Sequence, residues 1–182
     1  GRSGNAIFVF RPAMIVHAVM LIWFWVYVKQ WLQELHGKPL LSVSVLMWIG
    51  IIGALFLMVY IDYLGTEGEI NRFMRRIGII IYFAFTALAQ LLLLRQHMHL
   101  KPRLRELVGE VATRVLRYQL VVLLMTLAVA LTGLFLDVFE LKTYQSENVV
   151  EWNFSVLMTM YFAGMIILWK KYRYSIRLEQ QV

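Results

Sequence analysis

Five long apolar runs dominate this 182-residue chain. They extend over residues 8–28, 41–64, 77–94, 116–139 and 150–169. Each run is close to the roughly 20 apolar residues that an α-helix needs to cross the hydrocarbon layer of a bilayer. Hydrophobic residues make up 60% of the chain, against about 45–50% in soluble domains, so a soluble core could not bury them. The sequence therefore predicts an all-α integral membrane bundle of about five transmembrane helices, in one domain over residues 1–182.

Lysine and arginine are distributed unevenly between the two sides of these runs. Six of the 18 lie on the side of the N-terminus, and the other twelve lie on the opposite side. Because loops rich in Lys and Arg stay in the cytoplasm, we expect the C-terminus and the loop after the third run to be cytoplasmic. An outer N-terminus, with the unnatural opening Gly1-Arg2-Ser3-Gly4, predicts that a further helix precedes this sequence.

The loop between the third and fourth runs contains a short amphipathic pattern. In KPRLRELVGEVATRV, which is residues 101–115, apolar residues recur at helical spacing. The basic residues off this stripe are Lys101, Arg103, Arg105 and Arg114. We expect a short amphipathic helix on the cytoplasmic surface, or an extension of the fourth helix. It either binds anionic headgroups, at about 1 kcal/mol per basic residue, or only anchors the loop and sets the topology.

Three ionisable residues in or beside the apolar runs are candidates for a lipid site at the outer leaflet. Arg11 and His17 lie in the first run, and Glu151 lies at the outer end of the last. Ionisable residues at membrane depth are costly and often functional. Arg11 is therefore a candidate for holding a phosphate, and His17 and Glu151 for exchanging a proton. The structural alternatives are a neutral His17 hydrogen-bonded to a neighbouring helix and a Glu151 stabilised by the dipole at a helix N-terminus.

Residues with other chemistry are scarce. The chain has no cysteine, which excludes disulfides and thiolate chemistry. His97 and His99 alternate like metal ligands, but no carboxylate neighbours them, so an interfacial pair is the favoured interpretation. We find no nucleophile–base pair, phosphate-binding loop or metal quartet, so the sequence predicts neither a metal nor a cofactor and indicates no particular reaction. The formal charge is +7. Because the basic residues lie between the apolar runs, we interpret them as setting the orientation in the membrane and not as a nucleic-acid-binding surface.

Three stretches together carry a likeness to known proteins. They are FVFRPAMIVH near the N-terminus, the segment from GIIG through IDYLGTEGEINRF to the Ala89-Gln90 pair, and SENVVEWNFSVLMTMYF, in which Glu151 precedes Trp152. In these stretches the chain resembles the DRAM/Frag/Sfk superfamily of eukaryotic multi-pass membrane proteins. The first stretch is similar to the second helix of the branch that remodels GPI-anchor lipids. The chain departs from the family in lacking the outer cysteine of that branch and a loop histidine, near Asn71.

This resemblance implies six spans with both ends cytosolic, of which the five runs match the second to the sixth. It also implies a regulatory or lipid-remodelling role in membrane lipid homeostasis, with membrane lipids as partners, at the Golgi, endolysosomal or plasma membrane. The composition leaves a second interpretation open. The chain would then be a noncatalytic accessory subunit that binds other membrane-protein subunits, for example in a respiratory complex of the mitochondrial inner membrane.

Overall fold

The computed structural model describes residues 4–141 and 143–172, and these residues form six helices and no strand. The helices are α1 (Gly4–His36), α2 (Leu41–Asp62), α3 (Glu69–His99), α4 (Lys101–Val108), α5 (Glu110–Val138) and α6 (Tyr144–Tyr172). Within the described residues, all but α4 contain a segment long and apolar enough to cross a membrane: Ile7–His36, Leu41–Asp62, Glu69–His99, Glu110–Val138 and Asn148–Tyr172. The predicted all-α bundle is confirmed, and the chain is a multi-pass integral membrane protein.

Several helices extend beyond the apolar runs that predicted them. The first run ends at residue 28, but α1 continues to His36 because Trp31, Leu32 and Leu35 prolong its buried face. The third run begins at residue 77, but α3 begins at Glu69. An apolar run marks the part of a helix in hydrocarbon, whereas helical hydrogen bonding continues into the polar headgroup layer. The apolar runs therefore predicted the spans but underestimated the helix lengths.

The contacts group the chain into two compact units, and each is described by itself. Unit 1, Gly1–Leu93, contains α1, α2 and most of α3. Its helices approach closely at glycines. The Trp25 indole lies over Gly50, where an added Cβ would come closer than 3.0 Å, and a Cβ on Gly78 would lie 2.8 Å from the Tyr60 backbone nitrogen. Because membrane helices associate through close van der Waals packing, small residues at these points let the backbones meet.

Unit 2, Leu94–Val182, contains the end of α3 together with α4, α5 and α6. Helices α5 and α6 are antiparallel: Gly133, near the end of α5, lies beside Val150, and Gln119, near its start, lies beside Gly164. The Tyr118 hydroxyl donates to the Met160 carbonyl at 2.8 Å. Helix α4 packs on α5 and α6. The beginning of α5, the end of α6 and α4 are therefore at the same end of unit 2.

Candidate functional site

Unit 2 is asymmetric in charge from one end to the other. At one end lie α4, the first turns of α5 and the last turns of α6, with the end of α3 beside α5. The described basic residues there are Arg95, Lys101, Arg103, Arg105, Arg114, Arg117, Lys170 and Lys171, and the described acids are Glu106 and Glu110. The described aspartates and glutamates at the opposite end include Asp137, Glu140 and Glu151. We refer to the first group as the basic end.

Helix α4 presents part of the basic end on its exposed side. Its Leu104 and Val108 are buried and face the rest of unit 2. With about 100° of rotation per residue, Lys101 and Arg105 lie one turn apart on one flank of this buried stripe, and Arg103 lies on the other flank. Lys101 is half-buried, whereas Arg103 and Arg105 are exposed. An open depression of about 440 Å³ is lined by Lys101, Pro102, Arg105 and Glu106.

An ion pair joins α4 to the start of α5. The Arg105 guanidinium bonds to Glu110, with Nε donating to Oε1 at 2.8 Å, and both side chains are about 60% exposed. Between the helices lies Gly109, with φ +66°, a left-handed conformation that favours glycine. The predicted short helix is therefore present and separate from α5, because the chain turns at Gly109. Arg114 lies beyond that turn on α5 and is exposed.

Arg11 has a structural partner in unit 1. Its guanidinium donates to the carbonyls of Leu64 and Asp62, the latter at 3.4 Å, where α2 ends. A cation at the carbonyl end of a helix is stabilised both by the hydrogen bonds and by the helix dipole. Ile7, one turn earlier, lies against Gly65 in the same turn. Arg11 thus ties the start of α1 to the α2–α3 connection.

His17 and Glu151 lie in different units, and the structure brings neither close to a described partner group that could form the predicted site with it. His17 is half-buried in α1. It follows Arg11 by six residues, about 9 Å along the helix and about 120° short of two full turns, so the two side chains leave α1 on different sides. Glu151 belongs to unit 2, and α6 begins at Tyr144, two turns before it. The prediction that Glu151 lies at a helix N-terminus is wrong, and the dipole falls off within the first turn.

A buried polar pair in unit 2 is the feature that the sequence did not reveal. His97 and Gln119 are both fully buried, and His97 Nδ1 lies 3.0 Å from Gln119 Oε1. Gly164 leaves room for the Gln119 side chain, since an added Cβ would lie 3.2 Å from Gln119 Cγ. His99 is exposed, so the interpretation of the two histidines as an interfacial pair is wrong for His97. The available signal was a glutamine inside an apolar run.

Among the described residues, no group of three or more His, Cys, Asp or Glu side chains could hold a metal ion. The chain matches no protein-family model, and no curated protein or solved structure matches it significantly. The described fold therefore defines the class: a multi-pass helical membrane protein in which one end of unit 2 is strongly basic.

Proposed function

We propose that this protein has a regulatory role in membrane lipid homeostasis and engages anionic lipids at the membrane face that holds the basic end. The observation that carries the proposal is the charge asymmetry of unit 2. Eight described basic residues lie at one end with two acids, directly beside segments of membrane-spanning length. Basic residues close to an anionic bilayer surface contribute about 1 kcal/mol each to binding.

The same charges support an orientation. The positive-inside rule places the basic end on the cytoplasmic side, where anionic lipids give the leaflet its negative surface potential. The C-terminus would then be cytoplasmic. The likeness to the DRAM/Frag/Sfk superfamily supports a lipid-related role at the Golgi, endolysosomal or plasma membrane.

Direct lipid remodelling is the less favoured form of this role. It would use Arg11 to hold a phosphate, with His17 and Glu151 exchanging a proton. In the structure the Arg11 guanidinium already donates to two backbone carbonyls, so a phosphate would have to displace them. A regulatory role that uses the exposed cations of unit 2 requires no such rearrangement.

Lipid analysis of the protein in its own membrane tests the proposal. The full chain is extracted in polymer-bounded native discs, and the lipids retained are compared with those of the whole membrane. We expect enrichment of anionic phospholipids, and its loss when Lys170 and Lys171 are both replaced by glutamine. In the matched control, Arg72 and Arg76, two exposed arginines of unit 1, are both replaced by glutamine. This variant should retain the enrichment of anionic phospholipids. Equal lipid composition in disc and membrane would refute the proposal.

A second candidate function is an accessory subunit of a larger membrane complex. It is favoured by the exposure of α1 and α5: in the 18-residue apolar stretch of each, only 11% is buried, against 44% in that of α2. Such faces are available to partner subunits. After mild detergent extraction, an accessory subunit should migrate with stoichiometric partners at high mass, whereas a lipid-binding regulator should migrate as a small particle.

A further inference from the structure

We infer that the Lys101–Arg105 flank of α4 binds the phosphate of an anionic lipid headgroup, and that Glu110 competes with this phosphate for Arg105. The inference rests on the proposed function and narrows it to one site. It assigns a role to the ion pair between α4 and α5, which packing alone does not require, because both partners are largely exposed.

The position of α4 suits a headgroup site. The helix begins just after α3 ends at His99, and it packs on α5 and α6. It therefore lies where the membrane-length segment of α5 begins, which is where we expect the lipid phosphates. Its buried Leu104 and Val108 fix the rotation of the helix, so the two flanks keep different surroundings.

The cations on one flank converge on a single depression. Lys101 and Arg105 are separated by four residues, a spacing at which Cβ atoms on a helix are about 5–6 Å apart. Both line the open depression, together with Pro102 and Glu106. An arginine fork bonds a phosphate in a bidentate manner, and a lysine beside it adds a point charge. Arg103 lies outside this depression, on the opposite flank.

In the described structure Arg105 is paired with the carboxylate of Glu110, which is not among the residues that line the depression. Arg105 Nε donates to Glu110 Oε1 at 2.8 Å, so the guanidinium is already oriented for an anion. Exposed ion pairs contribute little to stability, and a phosphate monoester carries more charge than a carboxylate. A lipid phosphate monoester at this site can therefore displace Glu110, which breaks the ion pair that joins α4 to α5 on either side of Gly109. Lipid binding and the ion pair exclude each other.

Three single variants of the full chain test the inference: Arg105→Gln, Arg103→Gln and Glu110→Gln. Purified in an uncharged detergent, each is titrated with short-chain phosphatidic acid, short-chain phosphatidylcholine, inorganic phosphate and polyglutamate, and bound ligand is measured by native mass spectrometry. Arg103→Gln is the matched control, since it removes the same charge from the same helix on the other flank. Gel filtration confirms that each variant remains a monodisperse particle.

The wild-type protein should prefer phosphatidic acid to phosphatidylcholine. Arg105→Gln should weaken phosphatidic acid binding about fivefold, the factor that corresponds to one basic residue, and Arg103→Gln should weaken it by less than about twofold on the same scale. Glu110→Gln should strengthen binding by about two- to fivefold, because no ion pair then has to be broken. A gain of affinity cannot come from misfolding, and a gain larger than the loss in Arg103→Gln exceeds the diffuse effect of one charge, so this variant keeps the test decisive if Arg105→Gln fails to fold.

The refuting results separate the site from the general function. Losses for Arg103→Gln and Arg105→Gln and a gain for Glu110→Gln that are all of equal size would indicate diffuse attraction, in which each charge counts alike; anionic-lipid engagement would stand and this site would be refuted. Absence of any preference for phosphatidic acid would refute both. Inorganic phosphate or polyglutamate binding as tightly as phosphatidic acid would identify a soluble anion or an acidic protein segment as the ligand, and would overturn the lipid assignment.

Discussion

Replacing Gly50 by alanine tests how tightly α1 and α2 pack in unit 1. The Trp25 indole is fully buried against Gly50, and an added Cβ would overlap three of its ring atoms at less than 3.0 Å. The indole is large and rigid, so either it or the α2 backbone must move. We expect Gly50→Ala to lower the stability of the protein.

The size of this loss of stability can be derived by comparison with Gly53, which lies on the same helix three residues later. Alanine is favoured over glycine in a helix interior by roughly 1 kcal/mol, and this gain is the same at both positions. At Gly53 the new Cβ would lie 3.1 Å from the Thr86 hydroxyl oxygen, a group that can rotate. At Gly50 overpacking costs about 1–3 kcal/mol. The difference between the two variants therefore isolates the overlap with Trp25.

The assay is the thermal unfolding midpoint of the detergent-solubilised protein. For a chain of this size, about 2 kcal/mol corresponds to a shift of about 4–8 °C, so Gly50→Ala should unfold that far below Gly53→Ala. Trp25→Leu should restore part of the loss in the Gly50→Ala background, since residues in contact are coupled. Equal midpoints for the two alanine variants would show that Trp25 does not lie over Gly50.

Three further predictions concern other parts of the chain. Gln119→Leu should lower the unfolding midpoint because it removes the partner of buried His97. The double variant with His97→Leu should recover most of the loss, since removing both partners is nearly neutral. A double variant that is less stable than the single one would contradict this. Arg11→Gln should raise deuterium uptake in residues 63–68, where its guanidinium bonds to carbonyls, and unchanged uptake would show that this bond does not stabilise the turn. Because the chain has no cysteine, single cysteines at exposed Glu106 and Gln145 can be labelled selectively. In protein expressed at the plasma membrane, a membrane-impermeant maleimide should label Gln145→Cys in intact cells and Glu106→Cys only after permeabilisation. The reverse pattern would invert the proposed orientation.

The orientation itself depends on unit 2. In unit 1 the described arginines at the proposed outer end are Arg11, Arg72, Arg75 and Arg76, and the described lysines at the opposite end are Lys29 and Lys38. Unit 1 alone would favour the opposite orientation. The larger number of cations in unit 2 therefore decides the side, and the cysteine-labelling experiment tests this inference directly.

Much of the fold could be predicted from the sequence because spanning a bilayer is a local requirement. The length and composition of each apolar run are enough to predict a membrane helix, since every backbone group must be hydrogen-bonded inside the lipid. A short helix at α4 was also predicted from the apolar spacing, although the predicted segment, residues 101–115, continued past Gly109, where α4 ends. The helix ends were not, because the segment Glu69–Arg76, which precedes the apolar run and contains most of its polar residues, is also helical. Helix α6 likewise begins before its apolar run, at Tyr144, so Glu151 lies in the helix interior and not at the expected helix terminus.

The sequence by itself determined the class of protein, the spans and the uneven distribution of charge. Only the tertiary structure decided which polar groups meet. Arg11 reaches the Leu64 carbonyl across 53 positions of sequence, and His97 reaches Gln119 across 22. Such contacts depend on how each helix is rotated and how closely its neighbour approaches. Both are set by packing, as where Trp25 covers Gly50, and neither follows from the hydropathy of a single run.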